Sequence, residues 1–362
     1  MSAPDSLSER TRRFCERFGL RLPIIEAPMA GVCPPARSAA VAKAGGMGGL
    51  GAVLLKPAEI EEWVSKFRIL GGGPLQINLW IPDPPPVRNR EAESSVVKFL
   101  EKWGPRAPDD AGDTPLPDFE AQCEAIISAR PTVASSIMGL YPKPFIDRLK
   151  SIGIAWFAVA TNVTDAIAAE AAGADAIVAQ GIEAGGHRGS FNPDDVERSM
   201  IGLMSLIPRI VDRVSVPVIA TGGITDGRGV AAALTLGASA VQIGTALLRA
   251  TESTLPPAYD AVLDGLEPEN TILTRAFSGR TGRSAATDYV RAAAAPDAPP
   301  PAPYPVQRGL TAQMRADALK RSDPNGISTW AGQSAALARA EPAGDIIARL
   351  WREARELLPS ME

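Results

Sequence analysis

Eight short apolar runs, each followed by an Ala-rich stretch with helical spacing, are the feature that most limits how this chain can fold. In order they are 22–28 (LPIIEAP), 48–53, 75–80 (LQINLW), 132–137 (TVASSI), 154–160 (IAWFAVA), 175–180 (DAIVAQ), 216–221 (VPVIAT) and 240–244 (AVQIG). Each run is continuously apolar rather than alternating. That pattern marks strands buried on both faces, as in a parallel sheet covered by helices. The runs are too short for helices, so a helical bundle fits poorly. Eight βα units in series predict closure into a (β/α)8 TIM barrel, an α/β fold. Gly173 and Gly237 fall where a helix ends before a strand.

The chain has 362 residues, whereas a barrel of this type takes about 250. Two segments account for the surplus. The first, 82–119, follows the third strand and carries Pro-Asp-Pro-Pro-Pro and many charges. The second runs from 255 to the end, through a Pro-rich stretch at 295–305 that reads as extended. The expected organisation is therefore a barrel over 15–254 with an insertion at 82–119. An extension over 255–362, a smaller helical and irregular subdomain, completes the barrel and packs over the substrate side. Residues 346–358 read as an amphipathic helix.

Composition excludes several function classes. There are 37 basic and 41 acidic side chains, a net charge of −4, which gives no electrostatic case for nucleic acid or an anionic membrane. No apolar run approaches the roughly 20 residues that span a bilayer. The polar, mixed-charge segment 1–13 does not read as a signal peptide. Three scattered cysteines, Cys15, Cys33 and Cys123, fit a reducing compartment and argue against a disulfide framework or a zinc knuckle. A cytoplasmic location is the expectation. The single histidine, His187, excludes histidine-rich metal sites, and any step that needs an imidazole must use it.

In a barrel, function gathers at the C-terminal ends of the strands. After the sixth run comes Gln180-Gly181-Ile182-Glu183-Ala184-Gly185-Gly186-His187-Arg188-Gly189. Its glycines let backbone approach a planar ligand and present the imidazole at the barrel mouth. A structural histidine is the plainer reading, which the Gly-rich context at a strand end outweighs. Thr221-Gly222-Gly223 follows the seventh run and Gln242-Ile243-Gly244-Thr245 the eighth. Barrel phosphate sites are often built from those two loops. Either motif alone is also what an ordinary tight turn looks like. Asn78, amid an apolar strand, needs hydrogen-bond partners, from a ligand or from neighbouring backbone. Phe277–Ser284 (FSGRTGRS) is a basic Gly-rich turn that can approach a phosphate or close the barrel floor; a purely structural role fits as well.

Together, APMAG (27–31), QINLW (76–80), AQGIEAGGHRG (179–189), ATGGITDGRG (220–229), QIGTALL (242–248) and FSGR (277–280) resemble the nitronate monooxygenases, formerly called 2-nitropropane dioxygenases. The resemblance spans residues 20 to 315. It implies FMN without NAD(P)H, and oxidation of alkyl nitronates by O2 to carbonyl compounds and nitrite. Propionate 3-nitronate is the usual substrate of the first class of that family. It also implies that Pro28, Met29 and Ala30 contact the flavin ring through backbone and that Asn78 and Gln180 bond the flavin or its ribityl chain. Gly185 would let the ring approach. Gly222, Gly223, Gln242, Ile243, Gly244 and Thr245 would hold the phosphate, His187 would be the active-site histidine, and Tyr304 would line the substrate pocket. After Ser278-Gly279-Arg280 the chain departs from the family's common Ala-Arg-Gly. Two alternatives stay open: an FMN-dependent enoyl-acyl-carrier-protein reductase, which shares the EAGGH loop, and a non-redox barrel that binds a phosphate ligand. The sequence leaves open whether the chain forms a homodimer.

Overall fold

The computed structural model describes residues 6–196 and 198–359. Its strands are β1 (Ile24–Glu26), β2 (Gly48–Gly51), β3 (Leu75–Trp80), β4 (Val133–Ile137), β5 (Ala155–Ala160), β6 (Ala176–Gln180), β7 (Gly186–His187), β8 (Val218–Thr221), β9 (Ala240–Ile243), β10 (Thr271–Thr274) and β11 (Gly282–Ala285). Eight of them form one parallel sheet in the order β1-β9-β8-β6-β5-β4-β3-β2. A parallel bridge between Ile25 and Met47 closes β1 onto the segment leading into β2, so the sheet is a barrel. The remaining three, β10-β11-β7, make a small antiparallel sheet at the mouth.

The helix that fits between the barrel's first and last strands comes from the end of the chain. Ala343–Leu357 packs against both Gly227–Thr235 and Pro35–Ala44. Its Ile346, Ile347, Leu350 and Ala354 are buried on one stripe, as spacing of three and four residues dictates. The end of the chain therefore returns to the barrel's outer layer after an excursion of about ninety residues over its mouth.

The opposite end of the barrel is closed by a helix that the strand pattern does not reveal, Leu7–Phe18. Phe14 and Phe18 pack with Phe157 of β5, and the Phe18 and Phe157 rings meet edge to face at 4.9 Å. Burying each such ring stabilises by roughly 1.5–3 kcal/mol. This helix begins at Leu7, ahead of the expected barrel start at 15. A second helix absent from the sequence reading, Leu203–Val211, fills the place between β6 and β8. Its Leu203, Leu206, Ile207 and Ile210 are buried at helical spacing despite Pro208 inside it.

The two surplus segments are one structure. The insertion contains the helix Arg90–Leu100, and its Val96 and Leu100 share a core with Phe277, Tyr289, Val290, Val306, Leu310 and Met314 of the extension. The Pro-rich stretch is not extended throughout: it turns over 295–298, where Ala298 N donates to Ala295 O at 3.0 Å, runs without regular structure over 299–303, and turns again at 304–305. It is packed, with Ala302 N–H donating to Gln307 Oε1 at 3.0 Å. The lobe so formed stands over the C-terminal ends of the strands. Inside the barrel mouth Glu26 and Arg37 form a fully buried ion pair at 2.8 Å. The second carboxylate oxygen of Glu26 accepts from Gly49 N at 3.0 Å. This pair ties β1 to β2 and to the helix Pro35–Ala44.

Candidate active site

The barrel mouth and the lobe enclose a cavity of about 510 Å³, within the range of small-molecule and cofactor sites. Its floor is made by strand ends: Ala27, Pro28, Met29 and Ala30 after β1, Asn78 and Trp80 of β3, Gln180 of β6, Thr221 of β8 and Gln242 of β9. The lobe supplies Phe277, Ser278, Tyr304 and Trp330. Eleven residues singled out as cofactor contacts from the sequence thus meet at one place, together with His187 and Tyr304. Ile243 does not join them. Its side chain lies in the core with Ile224, Val230 and Leu247. Alternation along a strand explains this: Gln242 and Gly244 face the cavity, and the residue between them faces the helices.

Gln180 and Asn78 are partly committed to the protein. Gln180 Nε2 donates to His187 O at 3.0 Å, and its Oε1 accepts from Gly189 N at 2.8 Å. It therefore braces the loop that carries the histidine. Asn78 Nδ2 donates to Ser135 O and Oγ at 3.2 and 3.1 Å, which leaves its carbonyl oxygen for the cavity. The buried Gln242 amide receives Gln76 Nε2 at its oxygen, at 2.9 Å.

One side of the cavity is a cradle of backbone. Gly222 and Gly223 have φ of 115° and 68°, the left-handed region that glycine alone enters without strain. A Cβ on Gly185 would lie 2.5 Å from Gly332 N, and one on Gly332 would lie 2.9 Å from Glu183 O. Gly332 N donates to Thr245 Oγ1 at 3.0 Å, and Ser334 Oγ meets Thr225 Oγ1 at 2.6 Å. Gly332 and Ser334 line the same cavity. No local motif marks their role, because they lie far along the chain from the loops they complete.

The other side belongs to His187, half-buried on β7. Its ring lies 4.7 Å from Trp80, edge to face, and 4.5 Å from Trp330. Tyr304 stands 5.4 Å from Trp80. The FSGR turn lies here: β11 pairs with β7, and His187 Nε2 is 2.7 Å from Ser278 Oγ. The turn therefore holds the histidine; it does not close the barrel floor. Ser278 Oγ is also 3.1 Å from Arg280 O. We assign the tautomer from this network. The single hydroxyl proton satisfies the Arg280 carbonyl, Nε2–H donates to Ser278, and Nδ1 keeps its lone pair. Nδ1 has no protein hydrogen bond among the described residues.

Arg280 is buried, pairs with Asp83 of the insertion and donates to Ser190 O at 2.8 Å. Burial, and then the Arg280 charge, push the His187 imidazole down to about 3. It is neutral at physiological pH. The sign of its effect on stability follows. Between about pH 3 and the ordinary histidine value near 6.5, the unfolded chain binds a proton that the folded chain does not. This contribution is full above pH 6.5 and is lost as pH falls below it. Thermal melts from pH 7 to pH 4 should show a steeper loss of Tm for the wild type than for His187→Asn. Parallel curves would mean that the imidazole titrates normally in the folded protein.

Residues 12–353 match the nitronate monooxygenase family. The chain belongs to that family. The curated nitronate monooxygenases of Paraburkholderia phytofirmans and Pseudomonas aeruginosa are each 38% identical to it, over 95% of this chain and 95% and 99% of theirs. Among solved structures, nitroalkane oxidase from Streptomyces ansochromogenes is similar at 35% identity and a TM-score of 0.83, covering 93% of this chain and 96% of that one. FabK from Thermotoga maritima is similar at 27% identity and a TM-score of 0.73, covering 95% and 96%. As in other nitronate monooxygenases, an oxidoreductase assignment follows from membership. None of the described helices is long and apolar enough to cross a membrane.

Proposed function

We propose that this nitronate monooxygenase family member oxidises alkyl nitronates, propionate 3-nitronate among them, and neutral nitroalkanes, with O2 at an FMN held in the cavity. The products are a carbonyl compound and nitrite. One observation carries the reading: His187, its Nε2 engaged by Ser278 and its Nδ1 without a protein partner among the described residues, lines the same cavity as the glycine cradle of Gly222, Gly223, Gly244 and Gly332.

The residues fit such a cofactor. The positive-φ glycines and Gly244 leave room for a phosphate against backbone, where Thr245 adds a hydroxyl. The carbonyl of Asn78 and the remaining donor of Gln242 would be available to a planar polar ring, and Pro28, Met29 and Ala30 would line its apolar side. Its chemistry is electron transfer between substrate and O2. The protein supplies position and proton handling. Trp80, Trp330 and Phe277 exclude water around His187. For a neutral nitroalkane, Nδ1 is the atom open to receive the α-proton. An imidazole so depressed is a weak base in the empty site. The nitronate anion formed in the same step stands beside the new imidazolium and raises its hold on the proton. A nitronate already formed needs no base.

The test is a pair of assays on one preparation. Purified protein should be yellow, consume O2 with a nitronate and release nitrite without NADH. Oxidation of NADH with an enoyl thioester, and none of nitronate, would transfer the chain to the reductase reading that the likeness to FabK raises.

A further inference from the structure

Two arginines line the cavity without an acid to neutralise them. Arg308 lies on the helix Val306–Leu310, one turn beyond Tyr304, and Arg315 lies on the next helix, Ala312–Arg321. Both are half-buried. Among the described residues no carboxylate comes within ion-pairing distance of either. Nearby acids are committed elsewhere: Asp83 to Arg280, and Asp317 to Arg321 at 2.7 Å. Arg315 is held in place by neutral groups, Nε donating to Thr311 Oγ1 at 3.3 Å and Nη2 to Arg308 O at 3.0 Å. The Arg308 guanidinium makes no hydrogen bond to the protein among the described residues. Burial first, and the neighbouring Arg308 second, hold Arg315 down to about 10, so it remains charged at neutral pH.

Two like charges side by side in a half-buried wall are unfavourable unless an anion meets them. The cradle for a cofactor phosphate lies at the ends of β8 and β9, whereas these guanidinia come from the lobe that covers the mouth. Arg315 bonds only neutral groups of the turn between the two helices, and neither guanidinium is held by a carboxylate among the described residues. We propose that Arg308 and Arg315 are specificity-determining residues, which hold a carboxylate carried by the substrate away from its nitro-bearing carbon. This rests on the nitronate reading above. Guanidinium donors meet a carboxylate in a planar, two-point fashion that an ammonium does not reproduce. Tyr304, between Arg308 and Trp80, then marks the length of substrate between the two ends.

The experiment compares kcat/KM for two nitronates of equal chain length, propionate 3-nitronate and propyl-1-nitronate, in the wild type and in Arg308→Met and Arg315→Met. The ratio of the first to the second should fall roughly 10- to 100-fold in each variant, the range for losing a hydrogen bond to a charged group. The loss should sit in KM rather than kcat. Arg315→Lys should restore part of the ratio, which separates charge from packing. A ratio that stays at its wild-type value in both variants overturns the assignment, as does loss of bound flavin, which would give these arginines to the cofactor. If the wild type turns over neither nitronate, the nitronate reading itself has failed, and the ratio does not enter.

Discussion

His187→Asn should turn over a neutral nitroalkane roughly 10²–10⁴-fold more slowly than the wild type, the usual cost of losing a positioned acid–base group. Its flavin content should not change. The cradle comes from the loops after β8 and β9 and from Gly332, none of which His187 supports. The asparagine amide can still donate to Ser278 Oγ, so the bond between β7 and the FSGR turn has a substitute. What it lacks is the basic ring nitrogen that would receive the α-proton. Assayed on a nitronate formed in advance, the same variant should lose far less, because no proton has to be removed. Equal losses on both substrates would show that the imidazole acts by packing or charge. An unchanged rate on both would remove His187 from the mechanism. The comparison uses one preparation and one cofactor load, so misfolding cannot imitate the difference between substrates.

The barrel was legible because short, largely apolar runs recur between segments with helical spacing. LQINLW reads as residues 75–80 from composition alone and is β3 with the same bounds. In β3 the polar Gln76 and Asn78 alternate with Leu75, Ile77 and Leu79, and Gly71–Pro74 mark where it begins. Helix Leu203–Val211 was hidden by Pro208, although its buried leucines and isoleucines keep a spacing of three and four. Leu7–Phe18 was hidden for another reason. Its Phe14 and Phe18 look like ordinary apolar residues in a charged segment, and only the open end of a barrel gives them a place. The site divides in the same way. Glycines and the histidine stand in short motifs at strand ends, where the fold itself says that ligands bind. Trp330, Gly332 and Ser334 reach the cavity through the long return of the extension. No local pattern encodes a contact across some ninety residues, and Ile243 shows the converse: proximity in sequence to Gln242 and Gly244 does not put a side chain on the same face.

Gly244→Asp should purify without flavin while keeping its fold. Gly222 is the less useful position for this test. Its φ of 115° strains any other residue, and a Cβ there would lie 3.0 Å from Ala184 N. An aspartate at 222 would thus disturb the loop whether or not a phosphate binds. Gly244 has an ordinary negative φ of −115°, and a Cβ there would meet Ala27 Cβ and Met29 Sδ at 3.4 Å, close to normal contact. Gly244→Ala is the matching control, adding the carbon without the charge. Two unit charges a few ångströms apart at the effective dielectric of a protein surface repel by about 4 kcal/mol, roughly 10³-fold in Kd. The alanine variant should therefore stay yellow and the aspartate variant should be colourless. Both should show the far-ultraviolet circular dichroism of the wild type. Because the repulsion is electrostatic, added salt should recover only part of the binding at a site this enclosed. Full flavin content in Gly244→Asp would move the phosphate away from the β9 loop, and equal loss in both variants would mean that space, and not charge, decides binding there.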